Sequence, residues 1–174
     1  MNSFVRRMVG AAKLDTATYE EVEADRGATG QALGVVFLSS LAILIGDFTG
    51  DLDILVGFVG GFVGWMVWVL FIWIAGVKLL PEPQTRSDIG ELVRTTGFAA
   101  SPGLLRVFGL IPFLGSMVAV VVYLWTLAAM ILAVRQALDY KSTIRAVVVS
   151  VIGFGGQLLV AYLEWLILKT ARAV

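Results

Sequence analysis

Two charges stand inside apolar stretches of this chain: Arg106 in Gly103-Leu-Leu-Arg-Val-Phe108, and Glu164 in Ala161-Tyr-Leu-Glu-Trp-Leu166. A charge at membrane depth is stable only when it faces protein or water, so each marks a pair or a site. At 1.5 Å per residue, both lie at similar depth from the inner ends of their runs. A buried Arg106–Glu164 ion pair is therefore expected, the alternative being that each snorkels to the headgroups on its own. Upstream of Arg106, Ser101-Pro102-Gly103 marks a kink or a broken helix. Broken helices line ion sites in transporters, although packing around a Pro102 kink is the plainer use. A proton relay through Glu164 lacks the second intramembrane carboxylate it would need.

Other chemistry is narrowed by what the composition omits. The 174 residues include no cysteine and no histidine. Disulfides, thiolate nucleophiles, Cys/His zinc sites and histidine-ligated haem are excluded, and hydrolysis would have to run on carboxylates alone. No catalytic residue, cofactor or metal site is expected, and the chain reads as a non-enzyme. Thirteen basic and thirteen acidic residues cancel, so bulk charge offers no argument for a nucleic-acid partner.

The elements that position Arg106 and Glu164 are read from hydropathy. The chain is 59% hydrophobic with mean hydropathy +0.90, more apolar surface than a soluble domain of this length can hide. The predicted fold is all-α: a polytopic bundle of five transmembrane helices behind a short amphipathic N-terminal helix. Residues 1–27 form a cytoplasmic segment and 28–174 the membrane domain. The spans are expected at about 28–46, 54–80, 89–108, 115–138 and 144–168, each near the length a bilayer core requires. The third is the centre of the design. Arg94 to Pro112 carries two arginines, Pro102 and three glycines, a set suited to enclosure by the other spans. The first apolar run begins near Gly27, so no removable signal peptide is expected.

Ten of thirteen basic residues flank the N-terminal arm and the second and fourth connections, whereas the first connection holds Asp47, Asp51 and Asp53. That bias places the N-terminus inside and the C-terminus outside a cell (inner, cytoplasmic) membrane. Within residues 3–14, Phe4, Val5, Met8, Val9 and Ala12 share one helical face opposite Arg6, Arg7 and Lys13, which are expected at the membrane surface. Thr18 and Glu21 fit a capping box in the acidic segment that follows. On the second span Gly57, Gly60, Gly61 and Gly64 form a stripe, with Trp65, Trp68, Phe71 and Trp73 farther in. Close helix approach is expected along the stripe and a wedge apart below it. Gly153, Gly155 and Gly156 of the fifth span offer a complementary groove. Whether the stripes pack within one chain or between subunits stays open.

The central residues also carry a resemblance. Arg94…Gly97-Phe98-Ala99…Pro102-Gly103-Leu104-Leu105…Gly109…Ile111-Pro112…Leu114-Gly115, then Trp125 and Ala133-Val134-Arg135-Gln136-Ala137-Leu138, resemble the Yip-domain family of Ypt/Rab-interacting membrane proteins. Thr18-Tyr19-Glu20-Glu21-Val22-Glu23…Ala28-Thr29-Gly30-Gln31-Ala32 is similar to its prokaryotic branch. The resemblance implies five spans and a cytoplasmic N-terminus. Eukaryotic members bind Rab-type GTPases, but this chain lacks their Asp-Leu-Tyr-Gly-Pro run and long N-terminal arm, so that partner is not carried over. For prokaryotic relatives the resemblance implies neither an activity nor catalytic residues.

The function expected is that of a non-enzymatic membrane protein acting by assembly, organising or shaping the bilayer or serving as an accessory subunit. Its partners would be the lipid bilayer and copies of itself or other membrane proteins. The alternative is a small carrier or channel built on the Pro102 break with Arg106 and Glu164.

Overall fold

The computed structural model describes residues 2–46, 53–111 and 113–171, excluding the side chains of 53–57, 167 and 171. The acidic loop 47–52, Pro112 and the surroundings of Gly57 thus lie outside the described residues. Among the described residues seven α-helices carry the fold: α1 (Ser3–Ala12), α2 (Thr16–Ala24), α3 (Thr29–Gly46), α4 (Asp53–Trp73), α5 (Ile89–Ala99), α6 (Gly115–Ala137) and α7 (Thr143–Ala171). No strand occurs among the described residues. Among the described residues four helical stretches are long and apolar enough to cross a membrane: Arg26–Gly46, Phe58–Leu79, Gly115–Ala137 and Thr143–Thr170. The central segment is not one long helix. After α5 the chain tightens into a 3₁₀-helix, Ser101–Leu110, with Pro102 in its first turn, where the missing N–H costs no internal bond.

Local chemistry sets the helix starts. Asn2 caps α1 through the Phe4 N–H, and Asp88 and Glu91 form a reciprocal capping box at α5. The expected box from Thr18 to Glu21 is replaced. Asp15 caps α2 instead, accepting from the Ala17 N–H and the Thr18 hydroxyl, so Thr18 falls inside the helix and is buried. Leu14 and Asp139 take left-handed backbone, φ 61° and 53°, at the reversals after α1 and α6. α4 ends in a π-helical turn, Ile74–Leu79, and the Tyr140 hydroxyl lies 3.0 Å from the Gly76 carbonyl and 2.8 Å from that of Leu80.

The helices fall into two groups. α4 lies along α7, while α3, the central segment and α6 form a trio. α3 and the central segment run parallel and meet through three glycines. A Cβ on Gly97 would press on Ala32, one on Gly103 on Ser39, and Gly109 lies against Gly46. The spacing is six residues on the central segment and seven on α3. From Gly103 to Gly109 six 3₁₀ residues make about two turns, as do the seven α residues from Ser39 to Gly46, so the tightening keeps these glycines in register with α3. Every residue from Leu92 to Gly103 is buried.

The α4–α7 pair closes by reciprocal fit. Trp68 and Ile72 cover Gly153, and Phe71 and Val67 cover Gly156. In return Val160 and Gln157 face Gly64, and Glu164 lies over Gly60. The expected wedge does not form, because the bulky inner residues of α4 are received by the glycines of α7. Gly60, Gly64, Gly153 and Gly156 thus meet partners within the chain, whereas Gly61 and Gly155 face open space.

Candidate functional site

Two features beyond simple packing stand out: an N-terminal arm docked on the trio and a cleft between the two groups. The arm is α1 and α2, packed on α5, the 3₁₀ segment and α6. The Arg7 guanidinium is shared by three partners, Glu21 at 2.9 Å, Asp25 at 2.7 Å and Gln31 at 3.1 Å. Arg6 forks onto the same Glu21 carboxylate at 2.6 and 2.7 Å. From the bundle side, buried Arg94 donates to the carbonyls of Val22 and Glu23 at the C-terminal end of α2, where a cation also suits the helix dipole. Trp125 donates to the Ala12 carbonyl at 2.7 Å, and Phe4 meets Phe98 edge-on.

This geometry revises the expected membrane-surface set. Arg7 is turned inward and is 8% exposed, because α1 presents Phe4, Arg7, Met8 and Ala11 to the protein. Val5, Val9, Arg6 and Lys13 remain outward. The apolar face expected to meet lipid is therefore divided between bundle and surroundings.

Neighbouring carboxylates on α2 are tuned in opposite directions. Hydrogen bonds from Arg6 and then Arg7, with their charges, hold Glu21 down at about 2. Burial, reinforced by Asp139, Glu91 and Glu20 against the opposing charge of Arg94, raises Glu23 to about 7. Glu21 stabilises docking above its ordinary value of 4.5, and that contribution disappears as pH falls towards 2. For Glu23 the docked state holds the extra proton between 4.5 and about 7, so docking weakens as pH rises through that window. Hydrogen exchange of α2 amides in the full chain, corrected for intrinsic rates, should show firmer docking at pH 5 than at pH 8. Glu23→Gln should remove the loosening at high pH; a wild-type profile flat from pH 5 to 8 would contradict the assignment.

The cleft has a volume of about 410 Å³ and is walled by α3, α4, the central segment, α6 and one residue of α7. Apolar walls come from residues such as Val36, Ile43 and Met130, and polar ones include Ser40, Trp65, Arg106, Thr126 and Gln157. The structure does not bring Arg106 to Glu164. Arg106 lines the cleft from the trio, whereas Glu164 faces α4, with its Oε1 buried beside Gly60 and without a hydrogen-bond partner. The two residues sit on segments that face different neighbours, Arg106 towards the cleft and Glu164 towards Gly60 of α4. Among the described residues, no group of three or more Asp or Glu could hold a metal ion.

Sequence reasoning placed Arg94 in an enclosed span but missed its clamp on α2, as it missed Trp125 on α1. A cation one turn before Gly97 on a buried face was the available signal. No curated protein and no solved structure matches the chain. The family model of the Yip1 domain matches residues 16–163, from α2 into the C-terminal half of α7, and the chain belongs to this family of membrane proteins.

Proposed function

We propose that this chain is a non-enzymatic membrane-organising protein of the cell membrane, crossing it five times with the N-terminus cytoplasmic and the C-terminus outside. It acts by assembling with copies of itself or other membrane proteins and by shaping the leaflet beside its arm. One observation carries this reading: the exposed apolar belt is uneven. On α7, large exposed apolar residues run from Ile144 to Leu166, whereas on α6 they run from Met117 to Trp125, where the arm begins to cover the helix. At 1.5 Å per residue these bands are about 33 Å and about 12 Å tall. Lipid against the short side must thin or yield to α1, at a cost of a fraction of a kcal/mol per Å. Val5 and Val9, 43% and 40% exposed, then lie at the acyl boundary with Arg6 and Lys13 towards the headgroups.

The orientation is supported by where the basic residues gather. The arm, residues 80–88 and residues 138–142 meet at one end through contacts such as Gln136 to Glu20 and Thr85 to the Leu138 carbonyl. The carrier reading loses support because its two charges are apart. Reconstitution of the full chain in anionic vesicles tests both points. Single cysteines at Phe113→Cys and Ser142→Cys should label from opposite sides, and labelling from one side would remove the five-span topology. The vesicles should be remodelled without solute flux, and the double change Val5→Ser with Val9→Ser should weaken the effect about tenfold, from the lost burial of two side chains. Flux without remodelling would favour the carrier.

A further inference from the structure

We infer that the foot of the α4–α7 pair, at the arm's end of the bundle, is a docking surface for phospholipids with an anionic head, whose phosphates meet Lys78, Lys141 and Arg145 while their acyl chains lie along the apolar faces of α4 and α7. Two segments build it. The π-helical turn that ends α4 carries Lys78, and the chain entering α7 carries Lys141 and Arg145. The Tyr140 hydroxyl, set on the carbonyls of Gly76 and Leu80, holds the two together, and Arg145 reaches the Pro81 carbonyl at 3.5 Å. All three cations are exposed along this edge.

The protein does not neutralise them. Glu82 is the carboxylate within the edge. It lies 3.6 Å from the Arg145 guanidinium and also accepts from the Gln84 amide and the Lys141 backbone N–H. The Lys141 ammonium has no partner, and that of Lys78 lies 5.1 Å over the Trp73 ring, a contact that leaves its charge in place. Residues 78–88 and 138–145 are all described, so no carboxylate of these segments is left out. The other carboxylates of this end gather on the arm's flank, where Glu20, Glu91 and Asp139 neighbour Glu23 of α2. The perimeter is therefore divided, with cations beside α4 and α7 and carboxylates beside α2.

The apolar neighbours identify the anion as a lipid. Leu79, next to Lys78, is 66% exposed, and Ile144, next to Arg145, is 77% exposed. A free anion would leave both in water, whereas a phospholipid covers them with its chains and meets the cations with its phosphate. Ile144 is also where the tall apolar band of α7 begins, so the cations stand at the edge of the acyl region, within reach of their long stems. Each Lys or Arg near an anionic surface gains about fivefold in affinity, and a choline head, which brings its own cation, offers less. This flank is separate from the leaflet beside the arm, and its lipid preference does not depend on that action.

The full chain, delipidated in mild detergent, is incubated with phosphatidylglycerol or phosphatidylcholine and weighed intact by native mass spectrometry. Phosphatidylglycerol should be retained at least fivefold better, and rising ammonium acetate should erode that preference through screening. Lys78→Gln with Lys141→Gln should lower phosphatidylglycerol binding at least tenfold with an unchanged melting temperature. Lys169→Gln removes the matching cation over Trp165 at the other end of α7 and should leave the binding unaltered. Equal retention of the two lipids, or a preference insensitive to salt, would overturn the anionic head. Undiminished binding in the folded double variant, or an equal loss in Lys169→Gln, would overturn the place. Displacement by millimolar phosphate at constant ionic strength would overturn the lipid as partner. If the double variant does not fold, Lys141→Gln alone decides the place, with a loss of about fivefold expected.

Discussion

Gly46→Ala is expected to destabilise the folded bundle by about 3 kcal/mol or more, an unusually large effect for one methyl group. A Cβ at Gly46 would overlap the carbonyl oxygen of Arg106, and Gly109 approaches the same residue from the next turn, so backbone meets backbone with no side chain able to move aside. Overpacking in a well-packed core costs about 1–3 kcal/mol when side chains can adjust, and more when main chain must shift. Gly34→Ala is the matched control on the same helix. Nothing lies within 4 Å of its Cβ, so the loss of glycine's backbone freedom should stabilise α3 by about 0.5–1 kcal/mol. Unfolding of both variants in the same detergent should give opposite signs. Wild-type stability in Gly46→Ala would mean that α3 and the 3₁₀ segment do not meet through these glycines.

The same contact shows what could be read beforehand. Apolar runs marked four of the five expected spans as long apolar helices among the described residues, and the glycines, Pro102 and Arg94 together marked 94–112 for enclosure; the structure buries the segment from Leu92 to Gly103 and leaves Leu105, Phe108, Leu110 and Ile111 exposed. The 3₁₀ tightening was not legible, because six-residue and seven-residue spacings become equivalent only once the two helices are side by side. Glu164 was misdirected by arguing from depth alone. Periodicity held a better answer: Gly153, Gly156, Val160 and Glu164 recur at spacings of three and four, with Gln157 beside Gly156, and that face of α7 lies on α4.

The arm was harder still. α1 could be read as amphipathic, but Phe4 and Val5 look alike to a helical wheel, and only the docked partner decides which turns inward. Phe4 meets Phe98 while Val5 remains outside. Arg6 and Arg7 pose the same problem in charge. Both are adjacent cations, yet one is half-exposed and the other is enclosed by three acceptors on α2, the Asp25 turn and α3. Local pattern thus identified an amphipathic helix, while its partition between protein and lipid depends on carboxylates and carbonyls supplied from elsewhere.

Arg94→Met should release the arm while leaving the bundle intact. Arg94 is 5% exposed and places Nε within 3.1 Å of the Val22 carbonyl and 3.0 Å of the Glu23 carbonyl, with Nη2 on the latter as well. Hydrogen bonds to a charged donor contribute about 1.5–3 kcal/mol each, and methionine fills the space without offering any. A loss of about 3 kcal/mol in docking corresponds to roughly a hundredfold rise in the open population. Hydrogen exchange should therefore quicken about a hundredfold across α1 and α2 and little in α4 and α7, which lie in the other group. Arg94→Lys should fall between, since one ammonium lacks the planar fork that spans two carbonyls. If exchange rises equally throughout, Arg94 supports the whole bundle; if the arm is unaffected, α2 is held by α1 and by its packing on α5 and α6 without the clamp. Arm-selective loosening with weaker vesicle remodelling would tie the clamp to the proposed action on lipid.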